Sequence, residues 1–235
     1  HIKTLPSSQV ASTEKKTASE VGRELVAVIG NFFTKKHIFY YICFIILYRL
    51  AEGFIMKIAP LFLRASREVG GLGLSLKEIG TLNGVFGSAA FVIGSLLAGI
   101  YVSRYGLKKT LFTLCCVFNL PFVAYTFLAV MQPDNLYLIG ICITMEYFGY
   151  GFGFVGLTLF MMQQIAPGKH QMSHYAFASG IMNLGVMLPG MVSGYFSDLL
   201  GYRSFFIYVL IATIPAFLIT YFIPFTYDDT KTNNN

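Results

Sequence analysis

Charged side chains are scarce in this sequence. Of its 235 residues only 12% are charged, whereas 55% are hydrophobic; soluble domains carry roughly 25% charged residues. A chain of this size does not need so much apolar surface for its own core, so the excess must face something other than water. Four segments contain no Asp, Glu, Lys or Arg at all, namely residues 79–103, 110–133, 147–168 and 175–197. Each is long enough to cross a bilayer, which takes about 20 residues.

Two further apolar runs complete a set of six. We predict membrane spans near residues 37–63, 77–103, 109–131, 135–166, 173–198 and 203–226. Short connections rich in Gly, Pro, Asp and Asn separate them, as turns do. The sequence therefore predicts an all-α membrane protein in which six transmembrane helices form one antiparallel bundle in the lipid bilayer.

Cysteine and histidine are also rare. The four cysteines all lie inside apolar runs: Cys43, Cys115, Cys116 and Cys142. No C-x-x-C is present, which argues against a disulfide framework or a zinc site. The histidines inside the chain, His37, His170 and His174, have no metal-ligand spacing, and no activated nucleophile is evident. We expect no metal, no cofactor and no enzymatic activity.

Basic residues are distributed unevenly between the predicted connections. An even number of spans puts both termini on one side, and that side carries eleven Lys and Arg residues against four on the other. Because cytoplasmic segments are enriched in Lys and Arg, we expect both termini in the cytoplasm. The net charge of +6 is then a signal of topology, and we do not expect nucleic-acid binding.

The first 36 residues lie outside the predicted membrane spans and differ from them in composition. We predict that residues 1–16 form a flexible cytoplasmic tail and residues 17–36 an amphipathic helix on the membrane surface, started by a capping box of Thr17 with Glu20. Residues 37–226 form the bundle, and 227–235 a second cytoplasmic tail. The chain begins at His1 without methionine or signal peptide, and we expect it to be part of a longer protein, with residues 1–16 belonging to a central loop.

A repeated sequence pattern relates the two halves of the predicted bundle. GIYVSRYGLKKTLF (residues 99–112) and GYFSDLLGYRSFF (residues 194–206) share a Gly, a charge, a second Gly and a following basic residue. Three spans separate them, so they fall on opposite faces of the membrane. Two inverted three-helix repeats within a six-helix half are the plan of the major facilitator superfamily.

The first of these segments resembles the loop signature of that superfamily, G-x-x-x-D-R-x-G-R-R. Ser103 stands where Asp is usual, and the matching positions are Gly99, Arg104, Gly106, Lys108 and Lys109.

Three longer strings narrow the resemblance to the second half of the AmpG-type muropeptide permeases. They are YRLAEGFIMKIAPLFL (48–63), LYLIGICITMEYFGYGFGFVGLTLFMM (136–162) and HYAFASGIMNLGVMLPGMVSGYFSDLLGYRSFFIY (174–208). The resemblance implies an inner-membrane, proton-coupled symporter that imports cell-wall fragments such as anhydro-muropeptides. It also implies an N-terminal six-helix half as partner, so that these residues alone are a half-transporter.

Four charged residues lie well away from the ends of the predicted spans. Glu52 and Glu146 fall near the bilayer midplane, where carriers of this plan bind substrate and coupling ions. Arg49 lies three residues before Glu52 on the same helix face, so the two form either a structural ion pair or part of the pathway. Glu146 has no basic neighbour within a turn and is our candidate for proton coupling. Lys57 is expected to snorkel to the outer interface, with substrate contact as the alternative.

Amides, tyrosines and glycines supply the remaining candidates. Asn83, Asn183, Tyr147 and Tyr150 suit the hydroxyls, amides and rings of a glycopeptide substrate, although interhelical hydrogen bonds would use the same residue types. Close helix packing is predicted at a few small residues, and a helix kink at a proline: Gly149, Gly153, Gly80, Gly84 and Pro189.

Two other functions remain open at this point. A carrier of the same superfamily for a drug, siderophore, sugar or CoA-type substrate would keep the fold and change the cargo. A non-transporting membrane sensor that binds a partner would tolerate neutralisation of both acids. Purified muropeptides as competitors, and Gln at both acid positions, would discriminate between these hypotheses.

Overall fold

The computed structural model describes residues 18–227, and within them the chain is helical without any strand. Ten α-helices follow one another: α1 Ala18–Phe33, α2 Ile38–Tyr48, α3 Leu50–Arg64, α4 Leu76–Thr81, α5 Ser88–Tyr105, α6 Leu107–Asn119, α7 Phe122–Met131, α8 Leu136–Phe160, α9 Gln171–Ala212 and α10 Ile214–Tyr221. A short 3₁₀ turn covers Arg67–Val69, and π-helical turns cover Leu82–Gly87 and Met161–Ile165.

Joined end to end, these helices give five segments that are long and apolar enough to cross a membrane. They are Ile38–Arg64, Leu76–Tyr105, Leu107–Met131, Leu136–Ile165 and Gln171–Tyr221. The last has 51 residues, which at 1.5 Å per residue would make a straight rod about 77 Å long, more than twice the roughly 30 Å of bilayer hydrocarbon. A single crossing therefore cannot accommodate it.

The chain reverses direction inside this long segment, at Gly201. Its φ of 70° and ψ of 160° are non-helical and suit a residue without a side chain. Before the reversal, His174 lies against Val28 near the start of the first span; just after it, Tyr202 packs on Phe62 near the other end of that span. The chain thus crosses the bundle six times, as the sequence predicted.

The two ends of the bundle can be named by their basic residues. At the Lys35 end, the Tyr41 hydroxyl lies 2.8 Å from the hydroxyl of Thr226. At the Arg67 end, the Arg67 guanidinium donates to the carbonyls of Gln132 and Pro133 at 2.8 and 2.9 Å. All the odd-numbered spans therefore run from the Lys35 end to the Arg67 end, and the even-numbered spans return.

At the Lys35 end, two side chains form hydrogen bonds with backbone groups of other segments. The Lys35 ammonium donates to the carbonyls of Ile165 and Pro167, and partial burial lowers the pKa of Lys35. The Gln164 side chain accepts from the amides of Thr226 and Tyr227 at 2.8 and 3.0 Å and donates to the Tyr227 carbonyl at 2.8 Å. These bonds tie the end of the fourth span to the first and last segments of the bundle.

Helix α1 forms within the predicted range of residues 17–36. Val28 and Phe32 are buried against the bundle, and Phe32 contacts the rings of His174 and Phe177. Four other apolar side chains of this helix remain exposed: Leu25, Val26, Ile29 and Phe33. The predicted capping box of Thr17 with Glu20 and the predicted tails, residues 1–16 and all but the first residue of 227–235, lie outside the described part of the chain.

The buried apolar residues form two clusters stacked along the bundle axis. The cluster at the Lys35 end is centred on Tyr41, Phe44, Tyr48, Phe118 and Phe160. The cluster at the Arg67 end is centred on Phe54, Phe62, Tyr125, Phe205 and Phe206. The boundary between them falls after Tyr48 in the first span and between Ile143 and Tyr150 in the fourth.

Candidate functional site

The boundary between the two apolar clusters carries the ionisable groups. In the first span Arg49 and Glu52 lie there, and in the fourth span Glu146. Charged side chains inside a membrane protein are costly and mark functional positions by default. We call Arg49, Glu52, Glu146 and Tyr150 the polar layer.

Arg49 and Glu52 form a buried, two-pronged ion pair. The Arg49 Nε donates to Glu52 Oε2 at 2.6 Å, and Nη2 donates to Oε1 at 2.5 Å. Only 4% and 5% of the two residues are exposed. The i, i+3 spacing predicted this contact, and the structure confirms it. Because the guanidinium matches the carboxylate in both charge and shape, the pair is neutral as a unit.

The local backbone favours this pair. The helix of the first span is interrupted at Arg49, whose φ of −104° and ψ of 6° separate α2 from α3. Arg49 therefore follows the C-terminus of α2, and Glu52 lies in the first turn of α3. Helix C-termini favour cations and helix N-termini favour anions, so each charge lies at the helix end that stabilises it.

Aromatic side chains enclose the guanidinium. The Arg49 Nη2 lies 3.5 Å from the Tyr150 hydroxyl, and its Cζ lies 5.4 Å from the centre of the Phe154 ring. The Tyr150 ring packs against Phe91 and Phe118 at 5.3 and 5.9 Å between centroids. Two rings of α8 thus contact Arg49, and rings of α5 and α6 support one of them, Tyr150.

Glu146 differs from Glu52 in having no partner. It is half-buried, and within residues 18–227 it makes no hydrogen bond and no ion pair. Glu146 and Tyr150, four residues apart, share one face of α8.

The other predicted polar residues are placed differently. Tyr147 lies with its ring against Gly87, where a Cβ would come within 2.9 Å of the ring. Asn83 lies in the π-helical turn of the second span, and its Oδ1 is buried without a hydrogen-bond partner among the described residues. Asn183 is exposed on α9. The structure therefore does not bring the two asparagines into the polar layer.

The predicted close packing of glycines has partners among the described residues in the fourth span and none in the second. A Cβ at Gly149 would collide with the carbonyl of Val117, and one at Gly153 with the side chain of Phe118. At Gly80 and Gly84, in contrast, no described atom lies within 4 Å of the point that a Cβ would occupy. The spacing of Gly80 and Gly84 is that of a packing motif, but these glycines face the open side of their helix.

Pro189 lies where α3 and α9 pack closely together. Its Cγ lies against Gly53, and a Cβ at Gly53 would also come within 2.7 Å of the Val186 carbonyl. Within α9 only Gly201 departs from helical φ and ψ. Gly53 therefore permits the close packing of Pro189. The reversal of the chain lies at Gly201, and the predicted kink at Pro189 stays a prediction.

The loop signature lies where the sequence placed it, between the second and third spans. Gly106 takes the positive φ of 80° that ends α5 and starts α6. Arg104 is exposed and stacks over the Tyr105 ring at 5.6 Å. Lys109 is exposed as well. Gly99, in the last turns of α5, has no described atom near its missing side chain, and Lys108 lies in the first turn of α6.

Several polar contacts escaped sequence analysis. The Tyr48 hydroxyl donates to the Gly153 carbonyl at 2.9 Å across the bundle, and Lys35 and Gln164 bind backbone at the bundle end. Nothing in the local sequence distinguishes these residues from other polar groups in the spans or near the membrane surfaces. Among the described residues no group of three or more His, Cys, Asp and Glu could hold a metal ion.

Residues 41–235 match the Major Facilitator Superfamily over most of the chain. The chain belongs to this superfamily. Its relatives include the anhydromuropeptide permease of Escherichia coli K12, with 24% identity over 211 residues that cover 90% of this chain and 42% of the relative. Transporter AmpG 1 of Rickettsia felis is 26% identical over 75% of this chain and 38% of the relative. Transporter AmpG 2 of Rickettsia typhi is 27% identical over 79% and 43%.

These similarities fix the general class of this Major Facilitator Superfamily chain. It is an integral membrane protein of a transporter family, related to AmpG-type permeases. The chain spans about two fifths of the length of these relatives. A lipid bilayer is the surrounding that such a membrane protein requires.

Proposed function

We propose that these residues form the C-terminal six-helix half of a proton-coupled symporter that imports anhydro-muropeptides. The carrier would lie in a bacterial inner membrane, with both termini of this half in the cytoplasm. An N-terminal half would complete the substrate path. The relatives, which are more than twice as long as the segment they share with this chain, support this division.

The unpaired carboxyl of Glu146 is the observation on which the proton coupling rests. Burial disfavours the charged form of a carboxyl. Glu52 already has the guanidinium of Arg49, whereas no described cation lies beside Glu146. A carboxyl in this position can take a proton from one side of the membrane and release it to the other when the surrounding helices move.

The choice of substrate rests on two weaker supports. The E. coli relative is named for anhydromuropeptide, and this chain presents both amides and aromatic rings along its spans. Tyr147 and Tyr150 are half-buried beside Glu146, where a sugar ring could stack on them. Asn83 has a buried oxygen without a donor among the described residues, as expected of a group that waits for a ligand.

Orientation and the surface helix complete the proposal. The eleven Lys and Arg residues on the side of the termini, against four on the other side, favour a cytoplasmic position for the Lys35 end. The exposed side chains of Leu25, Ile29 and Phe33 recur every four residues along α1. Such a stripe suits a helix that lies on the cytoplasmic membrane surface with its apolar face in the lipid.

Uptake by membrane vesicles tests the proposal. In the protein expressed from its complete gene, we expect Glu146→Gln to abolish accumulation of labelled anhydro-muropeptide driven by a proton gradient. Exchange of internal for external muropeptide should persist, because it requires no net proton movement. Glu68→Gln, which changes an exposed glutamate at the Arg67 end, is the matched control and should transport normally.

Each other outcome has a definite meaning. Undiminished accumulation by Glu146→Gln would remove Glu146 from the coupling mechanism. No muropeptide uptake by the unmodified protein would refute the proposed substrate, and competition by drugs, siderophores or sugars would then identify the cargo.

A further inference from the structure

A groove runs between the second span and α8 at the Arg67 end of the bundle. It has a volume of about 940 Å³, which lies at the upper end of the range for ligand sites. Its walls are mainly apolar and include side chains of both helices, namely Phe86, Ala90, Ile93, Ile141, Met145 and Phe148. Four of these six side chains are more than half exposed, so the protein itself leaves the groove open.

The two helices that form the groove separate toward the Arg67 end. Farther into the bundle they are in backbone contact, since a Cβ at Gly94 would collide with the Phe148 carbonyl. Nearer the Arg67 end a side chain fits between them, because the Leu82 Cδ2 lies 3.0 Å from the point that a Cβ of Gly140 would occupy. The groove therefore ends where the helices meet and continues outward from that contact to the bundle end.

The length of the groove matches one leaflet of a bilayer. Along α8 its lining extends from Leu136 to Phe148, which corresponds to about 18 Å of helix. One leaflet contributes about 15 Å to the hydrocarbon core. The outer end of the groove thus lies at headgroup level and the inner end at the depth of the polar layer. An acyl chain that enters from the headgroups can extend along the whole groove.

The groove opens on the side of α8 that is turned away from Glu146. Successive residues of an α-helix are rotated by about 100°, so Ile141 and Phe148 lie about 140° and 160° from Glu146 around the helix axis. An N-terminal half that completes the substrate path must meet the polar layer, and it therefore lies on the opposite side of α8. The medium beside the groove is then lipid. Because this position of the N-terminal half belongs to the proposed function, the cross-linking experiment below tests it separately.

A cation without a partner lies at the mouth of the groove. Lys77 lines this mouth, is exposed, and has no hydrogen bond or ion pair with any described residue. The neighbouring acid is already bonded, because Glu78 Oε2 accepts from the amide and the hydroxyl of Ser75 at 2.8 and 2.7 Å. Lysine binds phosphate as a point charge, and basic side chains near a membrane surface attract anionic headgroups. The mouth of the groove thus suits a lipid phosphate, and its walls suit an acyl chain.

We propose that the groove between the second span and α8 binds an anionic phospholipid from the leaflet at the Arg67 end. One acyl chain lies along the apolar walls, and the Lys77 ammonium contacts the phosphate. The inference goes beyond the proposed function, because it assigns a lipid site on the opposite side of α8 from Glu146 and does not depend on the cargo.

Lipid titrations followed by native mass spectrometry test the headgroup contact. The protein expressed from its complete gene is freed of lipid in detergent and titrated with phosphatidylglycerol, or with diacylglycerol that has the same chains and no phosphate. We expect the unmodified protein to bind phosphatidylglycerol about tenfold more tightly, as one charge-assisted hydrogen bond allows. Lys77→Gln should remove this preference, whereas Arg203→Gln, which changes another exposed cation of the Arg67 end, should keep it. A preference that survives in Lys77→Gln would overturn the phosphate contact, as would equal binding of both lipids by the unmodified protein.

Two neighbouring positions of α5 test the site of the acyl chain. Val92 and Ile93 are each 53% exposed, and of the two Ile93 alone lines the groove. We expect Ile93→Trp to weaken binding of both lipids about tenfold or more, because the loss of two buried methylene groups is enough for this effect. Val92→Trp is the matched control and should bind both lipids as the unmodified protein does. Equal binding by the two variants would overturn the groove as the lipid site.

Cross-linking in intact membranes identifies what covers the groove. With p-benzoylphenylalanine in place of Ile93, irradiation should attach phospholipid to the full-length protein, which mass spectrometry of the digested protein detects. A cross-link to another segment of the same protein would show that the N-terminal half covers the groove and would overturn the inference. A lipid adduct in a protein that fails to take up muropeptide would support the lipid site and refute the proposed substrate.

Discussion

The two carboxylates of the polar layer, Glu52 and Glu146, lie at a similar depth in the bundle but differ in their hydrogen-bond partners. Glu52 is 5% exposed and receives two hydrogen bonds from Arg49. Glu146 is half-buried and receives none from the described chain. Both lie at the boundary between the same two apolar clusters. The difference between them is therefore one of partners and not of position in the membrane.

This contrast indicates different roles for the two carboxylates. A carboxylate already matched by a guanidinium gains little from a proton, because protonation would leave Arg49 buried without its counter-ion. A carboxyl without a partner can change its protonation state at no such cost. We infer that Arg49 and Glu52 hold the first span together, while Glu146 is free to respond to protons and substrate.

Arg49→Met should have the largest effect on stability. It removes the only described cation bonded to Glu52 and leaves a buried carboxylate, which costs about 3–5 kcal/mol of unfolding free energy. Reversible unfolding in mixed detergent micelles would measure the loss. A loss below about 1 kcal/mol would show that water replaces the guanidinium, and Glu52 and Glu146 would then be equivalent.

The double variant is the matched control for this prediction. Arg49→Met combined with Glu52→Leu replaces the pair by apolar side chains of similar volume. Such replacements of buried ion pairs are often neutral, so we expect the double variant to regain most of the stability lost by Arg49→Met. A double variant as unstable as Arg49→Met alone would instead assign the loss to packing around the arginine stem.

Tyr150→Phe should have an intermediate effect. The substitution keeps the ring contacts with Phe91 and Phe118 and removes only the hydroxyl, which lies 3.5 Å from Arg49 Nη2. A hydrogen bond at the upper limit of length contributes at the low end of the usual range, about 0.5–1 kcal/mol. The same unfolding measurement checks this value, and a loss above about 2 kcal/mol would mean that Tyr150 is a principal partner of the ion pair.

Sequence patterns within a few neighbouring residues were sufficient to predict the ion pair and the helices. The spacing of Arg49 and Glu52 implied their contact, because residues three apart meet on any helix. Charge-free runs indicated the spans, and Gly106 and Gly201 indicated two of the turns, because only residues tolerant of positive φ suit these positions. Each of these predictions depends on a few neighbouring residues and on the bilayer.

Contacts between distant spans could not be predicted in the same way. Gly80 and Gly149 both begin a G-x-x-x-G, yet only Gly149 meets a neighbouring helix among the described residues. The stem of Lys57 packs beside Gly190 of α9. Gln164 binds the chain 62 residues later, at Thr226. All three outcomes depend on which helices become neighbours, and the local sequence does not encode this.

Glu146→Gln should have the smallest effect on stability, although we expect it to abolish proton-driven accumulation. Glutamine has nearly the shape of glutamate, and no described hydrogen bond is lost with the carboxyl. The unfolding free energy should therefore equal that of the unmodified protein or exceed it by no more than about 1 kcal/mol, because a partly buried neutral amide costs less than a partly buried carboxylate. A loss of about 2 kcal/mol or more, measured as above, would reveal a structural partner for Glu146 and end the contrast with Glu52. A stable variant that no longer couples transport to protons would show that this carboxyl is retained for function at the expense of stability.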